Sequence, residues 1–169
     1  MLWFLLLATT FHPGESTNPK TQSFRIIPIL KRENGYGNFE SIAFVSKDEL
    51  DSFLKNTAKQ MGWNNRQEFE DALGNAKVDF TKEALVLLRH DEGSGSVQVT
   101  FAPPLLQDRR LICKITGKRF PPGYGGTMDM AYYSFAVVVL KAAVTEVELQ
   151  RVQGGFSQRH LPSIVFPIK

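Results

Sequence analysis

The four consecutive polar residues at positions 89–92 bring an imidazole next to carboxylates. The run reads Arg89-His90-Asp91-Glu92, and a histidine beside a carboxylate is a pairing used in general acid–base catalysis. Successive side chains of a strand point to opposite faces, so His90 and Asp91 are not expected to meet. We therefore expect a polar strand end that leads into a turn. The alternative is an enzyme whose site lies near His90.

The other residue types that carry chemistry are scattered along the chain. His12 and His160 have no cysteine, histidine or carboxylate at the spacing of a metal site. The sequence GSGS at 93–96 lacks the lysine and hydroxyl residue that complete a phosphate-binding loop. Cys113 lies within an apolar alternation, which is typical of a buried small side chain. The sequence thus predicts a protein that is not an enzyme, with no metal and no cofactor.

A basic segment is the first candidate for a binding surface. Residues 109–119 contain no acidic residue, and strand alternation places Arg110, Lys114 and Lys118 on one face, with Arg119 next to them. A stripe of this kind suits an acidic partner protein. Two alternatives are an anionic surface or polyanion, and a solvated strand whose lysines guard an edge against aggregation.

A loop rich in glycine and proline is the second candidate. It runs from Phe120 to Thr127 and contains Tyr124. Glycines let a loop present an aromatic side chain, which is a common anchor in protein interfaces. The alternative is a long hairpin connection that packs Tyr124 on the sheet. The candidate partner-binding residues are therefore Arg110, Lys114, Lys118, Arg119 and Tyr124.

Two helices are predicted to follow the first strands. Ser46 and Glu49 have the spacing of a capping box, and apolar residues then recur at helical spacing as far as Met61. A second cap pattern at Asn65 precedes a shorter apolar stripe. The predicted helices span residues 46–61 and 65–73.

Alternating and continuous apolar runs predict strands along the rest of the chain. These segments lie at 24–30, 39–45, 84–88, 96–101, 109–118 and 132–144. Pro28 marks the first as an edge strand or as one that carries a bulge, and the tail after Gly155 is expected to hold one short edge strand limited by Pro162 and Pro167. Segregated strands and helices predict an α+β fold: an antiparallel sheet of about five to seven strands with the helices on one face.

The composition is that of a single globular domain. The chain has 169 residues, of which 43% are hydrophobic and 22% charged, with a net charge of +3. This charge is too small to imply a nucleic-acid partner, and one cysteine excludes an internal disulfide. Residues 24–169 are predicted to form the domain, with residues 17–23 as a linker.

The first residues have the pattern of a secretory signal. Residues 2–11 read LWFLLLATTF, which is too short to span a bilayer and has the length of a signal's apolar region. No lysine or arginine precedes this run. We expect a signal segment within residues 1–16, a secreted or periplasmic location and no transmembrane span. The alternative is an apolar strand that packs on the core.

The order of these motifs resembles that of PrcB-like domains over about residues 40–145. The segment IAFVSKDELDSFLKN at 42–56 is similar to the strand-into-helix opening of that family. VDFTKEALVLLRHDEGSGSVQVTF at 78–101 is similar to its next stretch of strand, glycine-rich turn and strand. LICKITGKRFPPGYGGTMDMAYYSFAVVVLK at 111–141 is similar to its closing part.

The resemblance implies a bacterial protein that is secreted or lipid-anchored. The family's namesake is an accessory protein that stabilises a surface protease complex. The resemblance therefore implies a non-catalytic, extracytoplasmic protein-interaction domain, whose partner is a protease or another envelope protein. It supplies no site residues for this chain.

Overall fold

The computed structural model describes residues 23–29, 39–93, 96–119, 130–154 and 159–169. Its two helices are α1 (Lys47–Thr57) and α2 (Arg66–Gly74). The strands are β1 (Phe24–Ile27), β2 (Ile42–Phe44), β3 (Glu83–Glu92), β4 (Gln98–Phe101), β5 (Leu105–Gln107), β6 (Arg110–Lys118), β7 (Ala131–Leu140), β8 (Glu146–Gly154) and β9 (Arg159–Pro167).

Some sequence predictions fall outside this part of the chain. The expected signal segment at 1–16 and nearly all of the expected linker at 17–23 lie outside the described residues. The same holds for Tyr124 and its whole loop. Within the described ranges, neither helix is long and apolar enough to cross a membrane.

Four strands form an antiparallel sheet in the order β1-β7-β3-β2. The two central strands pair along their whole length, from Glu83 opposite Leu140 to Glu92 opposite Ala131. The apolar run at 84–88 is buried on both faces, as its continuous pattern predicts. Strand β1 lies at the edge and ends immediately before Pro28, which has no N–H to donate to a ladder.

The remaining strands form a second sheet in the order β4-β6-β8-β9, with β5 also paired to β6. Strands β6 and β8 run parallel, although β7 separates them in the sequence and belongs to the other sheet. The chain therefore crosses from one sheet to the other and back. The sequence predicted a single antiparallel sheet and did not anticipate this division or the strands β5 and β8.

Two apolar cores separate three layers of structure. Between the sheets, Leu88 and Phe135 of the four-stranded sheet pack with Leu111 and Leu149 of the five-stranded sheet. The helices cover the opposite face of the four-stranded sheet through residues such as Phe69. Each such buried side chain stabilises the fold by about 1.5–3 kcal/mol. The predicted α+β class, with both helices on one face of a sheet, is confirmed.

Helix α1 begins at the predicted cap. The Oγ of Ser46 accepts a hydrogen bond from the backbone N–H of Glu49 at 3.2 Å. The Glu49 carboxylate reaches one residue further back than a capping box requires and accepts from the N–H of Val45 at 2.8 Å. The first bond satisfies a donor that the first helical turn leaves open, and the second fixes the residue before the cap to that turn.

The end of helix α1 corrects the predicted range. The helix ends at Thr57, so the prediction that it continues to residue 61 is wrong. The Thr57 hydroxyl donates to the carbonyl of Leu54 at 2.8 Å and lies 2.9 Å from Oε1 of Glu70 in α2. Such side-chain bonds compete with continued helix. Met61 is consequently 91% exposed instead of completing the apolar stripe.

The cap predicted for the second helix is also different. Asn65 occupies the N-cap position of α2, but its side chain makes no cap hydrogen bond. Its Oδ1 instead accepts from the indole Nε1 of Trp63 at 3.1 Å. The buried indole N–H needs a hydrogen-bond acceptor. Because Oδ1 of Asn65 fills this role, it does not accept from a backbone N–H of the helix. The helix ends at Gly74, one residue beyond the predicted range.

The C-terminal edge strand is longer than predicted. Strand β9 runs from residue 159 to 167 and pairs with β8 across Pro162. Its register shifts between the pairs Leu149–Ile164 and Arg151–Leu161, so β9 carries one extra residue there. A β-bulge accommodates a proline because the residue need not donate to the ladder. Proline thus interrupts the pairing without ending the strand.

A two-residue turn joins β5 to β6. Gln107 pairs with Arg110, and the intervening Asp108 and Arg109 both have positive φ angles, of 48° and 62°. Positive φ at both central residues defines the type I′ turn, which favours asparagine and glycine. The Arg109 carbonyl accepts from the backbone N–H of Thr145 at 2.8 Å, which fixes the turn to the segment before β8.

Candidate functional site

The predicted basic residues of β6 lie on the solvent-facing surface of the five-stranded sheet, here called the outer face. Arg110, Lys114 and Lys118 are exposed on this side of the strand. The residues between them in the alternation point into the core, where Leu111 and Ile115 are almost fully buried. The alternation predicted from the sequence is therefore confirmed.

Strand β8 partly neutralises the basic stripe. Nε of Arg110 lies 2.7 Å from Glu146 Oε2, and Nη1 lies 3.3 Å from Glu148 Oε2. The Glu146 carboxylate raises the pKa of Arg110 above its ordinary value. A hydrogen bond from Gln150 and the nearby Arg110 charge lower the pKa of Glu148. The parallel neighbour of β6 thus supplies acidic partners for one end of the stripe.

At the other end of the stripe, the cations have no carboxylate partner among the described residues. In the described part of the chain, the ion pairs of the outer face involve Arg110 and neither Lys114 nor Lys118. Arg119 follows the strand and donates to Gln153, when that amide is oriented to satisfy both groups, at 3.0 and 3.3 Å. The positive charge of the outer face is therefore concentrated at residues 114–118.

An apolar row crosses the outer face beside these charges. The strand register places Leu105 opposite Ile112, Ile112 opposite Glu148, and Glu148 opposite Val165. Residues directly opposite one another share a face of the sheet. Leu105 is 66% exposed and Val165 is 47% exposed, while Ile112 is half-buried. The row spans four strands, with Glu148 of β8 between Ile112 and Val165, and has Arg110 on one side and Lys114 on the other.

Sequence reasoning missed two members of this row. Leu105 and Val165 belong to strands whose pairing the sequence did not reveal. The sequence feature that could have indicated the row is Ile112, an apolar residue on the otherwise polar face of β6. That position indicated that the basic face also carries apolar surface.

The polar run at 89–92 forms two side-chain pairs on opposite faces of β3. Nε of Arg89 donates to Asp91 Oδ1 at 2.7 Å, and Nε2 of His90 lies 2.8 Å from Glu92 Oε1. His90 and Asp91 do not meet, as the alternation predicted. The sequence did not predict the burial: Arg89 is 9% exposed and His90 is 7% exposed.

Arg89 is enclosed by aromatic rings. Its Cζ lies 4.6 Å from the ring centroid of Phe39 and 4.7 Å from that of Tyr132. Its backbone N–H donates to the hydroxyl of Ser41, the residue that immediately precedes β2, at 2.9 Å. Nη1 of this guanidinium is buried and has no hydrogen-bond partner. Among the residues that the structure describes, this donor is therefore unsatisfied.

A cavity of about 400 Å³ adjoins this guanidinium. Arg151 of β8 lines the same cavity, and its Nη2 donates to the carbonyl of Pro162 at 2.8 Å. Within the described ranges, Nε of Arg151 is buried without an acceptor, as is Nη1 of Arg89. The sequence offered one signal for Arg151: it continues the inward phase of β8 after Val147 and Leu149.

The His90 side of β3 faces the five-stranded sheet. The His90 and Tyr133 rings lie 6.4 Å apart between centroids, and the Tyr133 hydroxyl donates to the carbonyl of Val97 at 3.2 Å.

Cys113 is buried, as predicted, and burial raises the pKa of its thiol to about 12. A thiol of this kind is not a nucleophile at neutral pH. No group of metal-ligating side chains occurs within the described ranges.

Comparisons with known proteins add no relative. No protein-family model, no curated protein and no solved structure matches this chain. The likeness to PrcB-like domains stays a prediction from the sequence.

Proposed function

We propose that this chain is a non-catalytic protein-interaction domain that binds its partner through the outer face of the five-stranded sheet. The observation that carries this proposal is the outer-face row beside the cations of β6, in which exposed Leu105 and half-buried Ile112 are followed, across Glu148, by exposed Val165. Apolar side chains that form a contiguous patch rimmed by polar residues mark protein interaction sites. The partner offers an apolar centre with acidic residues at its rim.

The charges of the outer face support a protein partner over a polyanion. Arg110 is already paired with Glu146 and Glu148, so a polyanion lying along the stripe would meet these carboxylates at its Arg110 end. Lys114 and Lys118 remain as a local positive rim. Rim charges of this kind chiefly set association rate and orientation. The apolar row then supplies the buried centre of the interface.

We also propose that the domain acts outside the cytoplasm, as an accessory of a protease or another envelope protein. The apolar segment at residues 2–11 and the motif order shared with PrcB-like domains support this location and role. Intact mass of the protein purified from its host tests the location. Loss of the first 10 or 16 residues is expected, and an intact N-terminus would contradict it.

The interaction is tested by capture of partners with the tagged full chain and with two surface variants. Leu105→Asp and Val165→Asp place charges in the apolar row at exposed positions, so the fold is retained. Met61→Asp is the matched control, because Met61 is an exposed apolar residue outside the sheets. Circular dichroism confirms that all three variants are folded.

The expected result is one protein captured by the wild type and by Met61→Asp, and reduced at least about tenfold by either row variant. Binding of that purified partner is then measured directly by calorimetry. Equal capture by all variants would overturn the proposed surface. Salt-sensitive retention on heparin that depends on Lys114 and not on Leu105 would indicate a polyanion ligand instead.

A further inference from the structure

We propose that the cavity lined by Arg89 and Arg151 binds a monocarboxylate, either a small organic acid with an apolar body or the C-terminus of a peptide. The cavity lies where the end of β3 meets β8 and β9, with Ser41 and Ile164 also in its wall. It does not include the outer face. The inference is therefore independent of the proposed protein-interaction surface.

The Arg89 guanidinium is fixed before any ligand arrives. Phe39 and Tyr132 lie over it at 4.6 and 4.7 Å, and Asp91 accepts from its Nε at 2.7 Å. The Arg89 side chain is only 7% exposed, so it has already lost most of its water and its rotamer freedom. A pre-ordered guanidinium binds an anion without the entropy cost that a surface arginine meets.

Two buried donors in this region lack acceptors. Nη1 of Arg89 and Nε of Arg151 are both buried and have no hydrogen-bond partner in the described part of the chain. Such groups are rare in folded proteins, because the cost of removing their water is not recovered. A carboxylate has two acceptor oxygens and matches the planar geometry of guanidinium groups. It thus suits either of the two arginines that line the cavity.

The rest of the lining defines the charge and the shape of the ligand. Glu40 and Asp91 also face the cavity, so a dianion such as phosphate would meet two carboxylates. Phe39 and Ile164 supply apolar wall for a hydrocarbon body. A volume of about 400 Å³ is within the range of small-molecule sites. These features favour one negative charge on an apolar frame.

The test is a titration of the ¹⁵N-labelled full chain with 3-phenylpropanoate, monitored through the arginine side-chain Nε–H signals. Saturable shifts of the Arg89 and Arg151 signals are expected, with a dissociation constant in the millimolar range or below. Arg151→Gln removes one unpaired donor at a half-buried position and is expected to weaken binding at least tenfold. Lys114→Gln makes the same charge change on the outer face and is expected to leave affinity within twofold.

Three outcomes would overturn the proposal. One is the absence of saturable shifts, which would leave only water in the cavity. Another is equal binding of 3-phenylpropanamide, which would make the ligand a neutral carbonyl compound. The third is tighter binding of inorganic phosphate. The source of the carboxylate is resolved by a short apolar peptide with a free C-terminus, compared with its amidated form and with the organic acid.

Discussion

Gly117 of β6 lies directly against the carboxylate of Glu92 in β3, on the opposite sheet. A Cβ at position 117 would stand 2.9 Å from Oε1 of Glu92. The same oxygen is 2.8 Å from Nε2 of His90. Because glycine has no Cβ, position 117 leaves the space that the Glu92 carboxylate of the His90–Glu92 pair occupies. The backbone of one sheet thus sets the position of a polar pair on the other.

This contact predicts the effect of Gly117→Ala. The added methyl group displaces the Glu92 carboxylate and also approaches Cγ1 of Val97, at 3.2 Å. We expect the free energy of unfolding to fall by about 1 kcal/mol. The imidazole nitrogen signals of His90 are expected to shift in ¹⁵N NMR, because its partner has moved. Gly74→Ala is the control, since a Cβ there meets nothing within 4 Å. Unchanged imidazole signals in folded Gly117→Ala would refute the contact.

Cys113 is expected to be unreactive in the folded protein. Burial raises the pKa of its thiol to about 12, so little thiolate exists at pH 8. From the thiolate fraction alone, reaction with Ellman's reagent should be at least about 1000-fold slower than for the unfolded chain. The rate is measured at pH 8 with and without guanidinium chloride. A native rate within tenfold of the unfolded one would show that the strand opens around the thiol.

Glu148 is expected to make stability sensitive to acid. Its pKa is lowered in the folded protein by the Gln150 hydrogen bond and by Arg110, so its contribution is present at neutral pH. That contribution is lost as the pH falls below about 4.5, the ordinary value, and through the folded pKa. Denaturant midpoints of wild type and Glu148→Gln between pH 7 and pH 3 should therefore converge. A difference that is constant with pH would rule out this linkage.

The turn between β5 and β6 offers a stabilising substitution. Arg109 holds a φ of 62° that glycine adopts without a steric penalty. Arg109→Gly is expected to increase the free energy of unfolding by about 0.5–1 kcal/mol. The control is Lys55→Gly in helix α1, where glycine should destabilise by about 1 kcal/mol. Thermal and denaturant unfolding measure both, and destabilisation by Arg109→Gly would mean that the turn depends on the arginine side chain.

The sequence predicts those elements whose signal is local. The alternation of residues 110–118 specifies both faces of β6, and the buried run at 84–88 marks a central strand. Ser46 and Glu49 locate the start of α1 to within one residue. In each case, neighbours a few positions apart determine the outcome. Local pattern is therefore sufficient for these elements.

The elements that the sequence does not predict depend on distant partners. Arg89 is buried because Phe39 and Tyr132 enclose it, and these rings come from segments far apart along the chain. Strand β8 has alternating apolar residues, but its pairing with β6 is parallel and follows a strand of the other sheet. Pro162 argues locally against a long final strand, whereas the bulge in β9 accommodates it. The candidate cavity unites β3, β8 and β9, so no local pattern encodes it.

The parallel pairing of β6 with β8 has a consequence for how the chain folds. Since β7 lies between them in sequence and completes the other sheet, neither sheet is built from one continuous segment. The four-stranded sheet is incomplete until β7 has paired with β1 and β3. The five-stranded sheet is incomplete until β8 has paired with β6. Contacts between such distant segments slow folding, because long loops close before they are stabilised. We therefore expect the completion of the two sheets to be coupled, and a fragment that ends before residue 146 leaves one edge of β6 unpaired and open to aggregation.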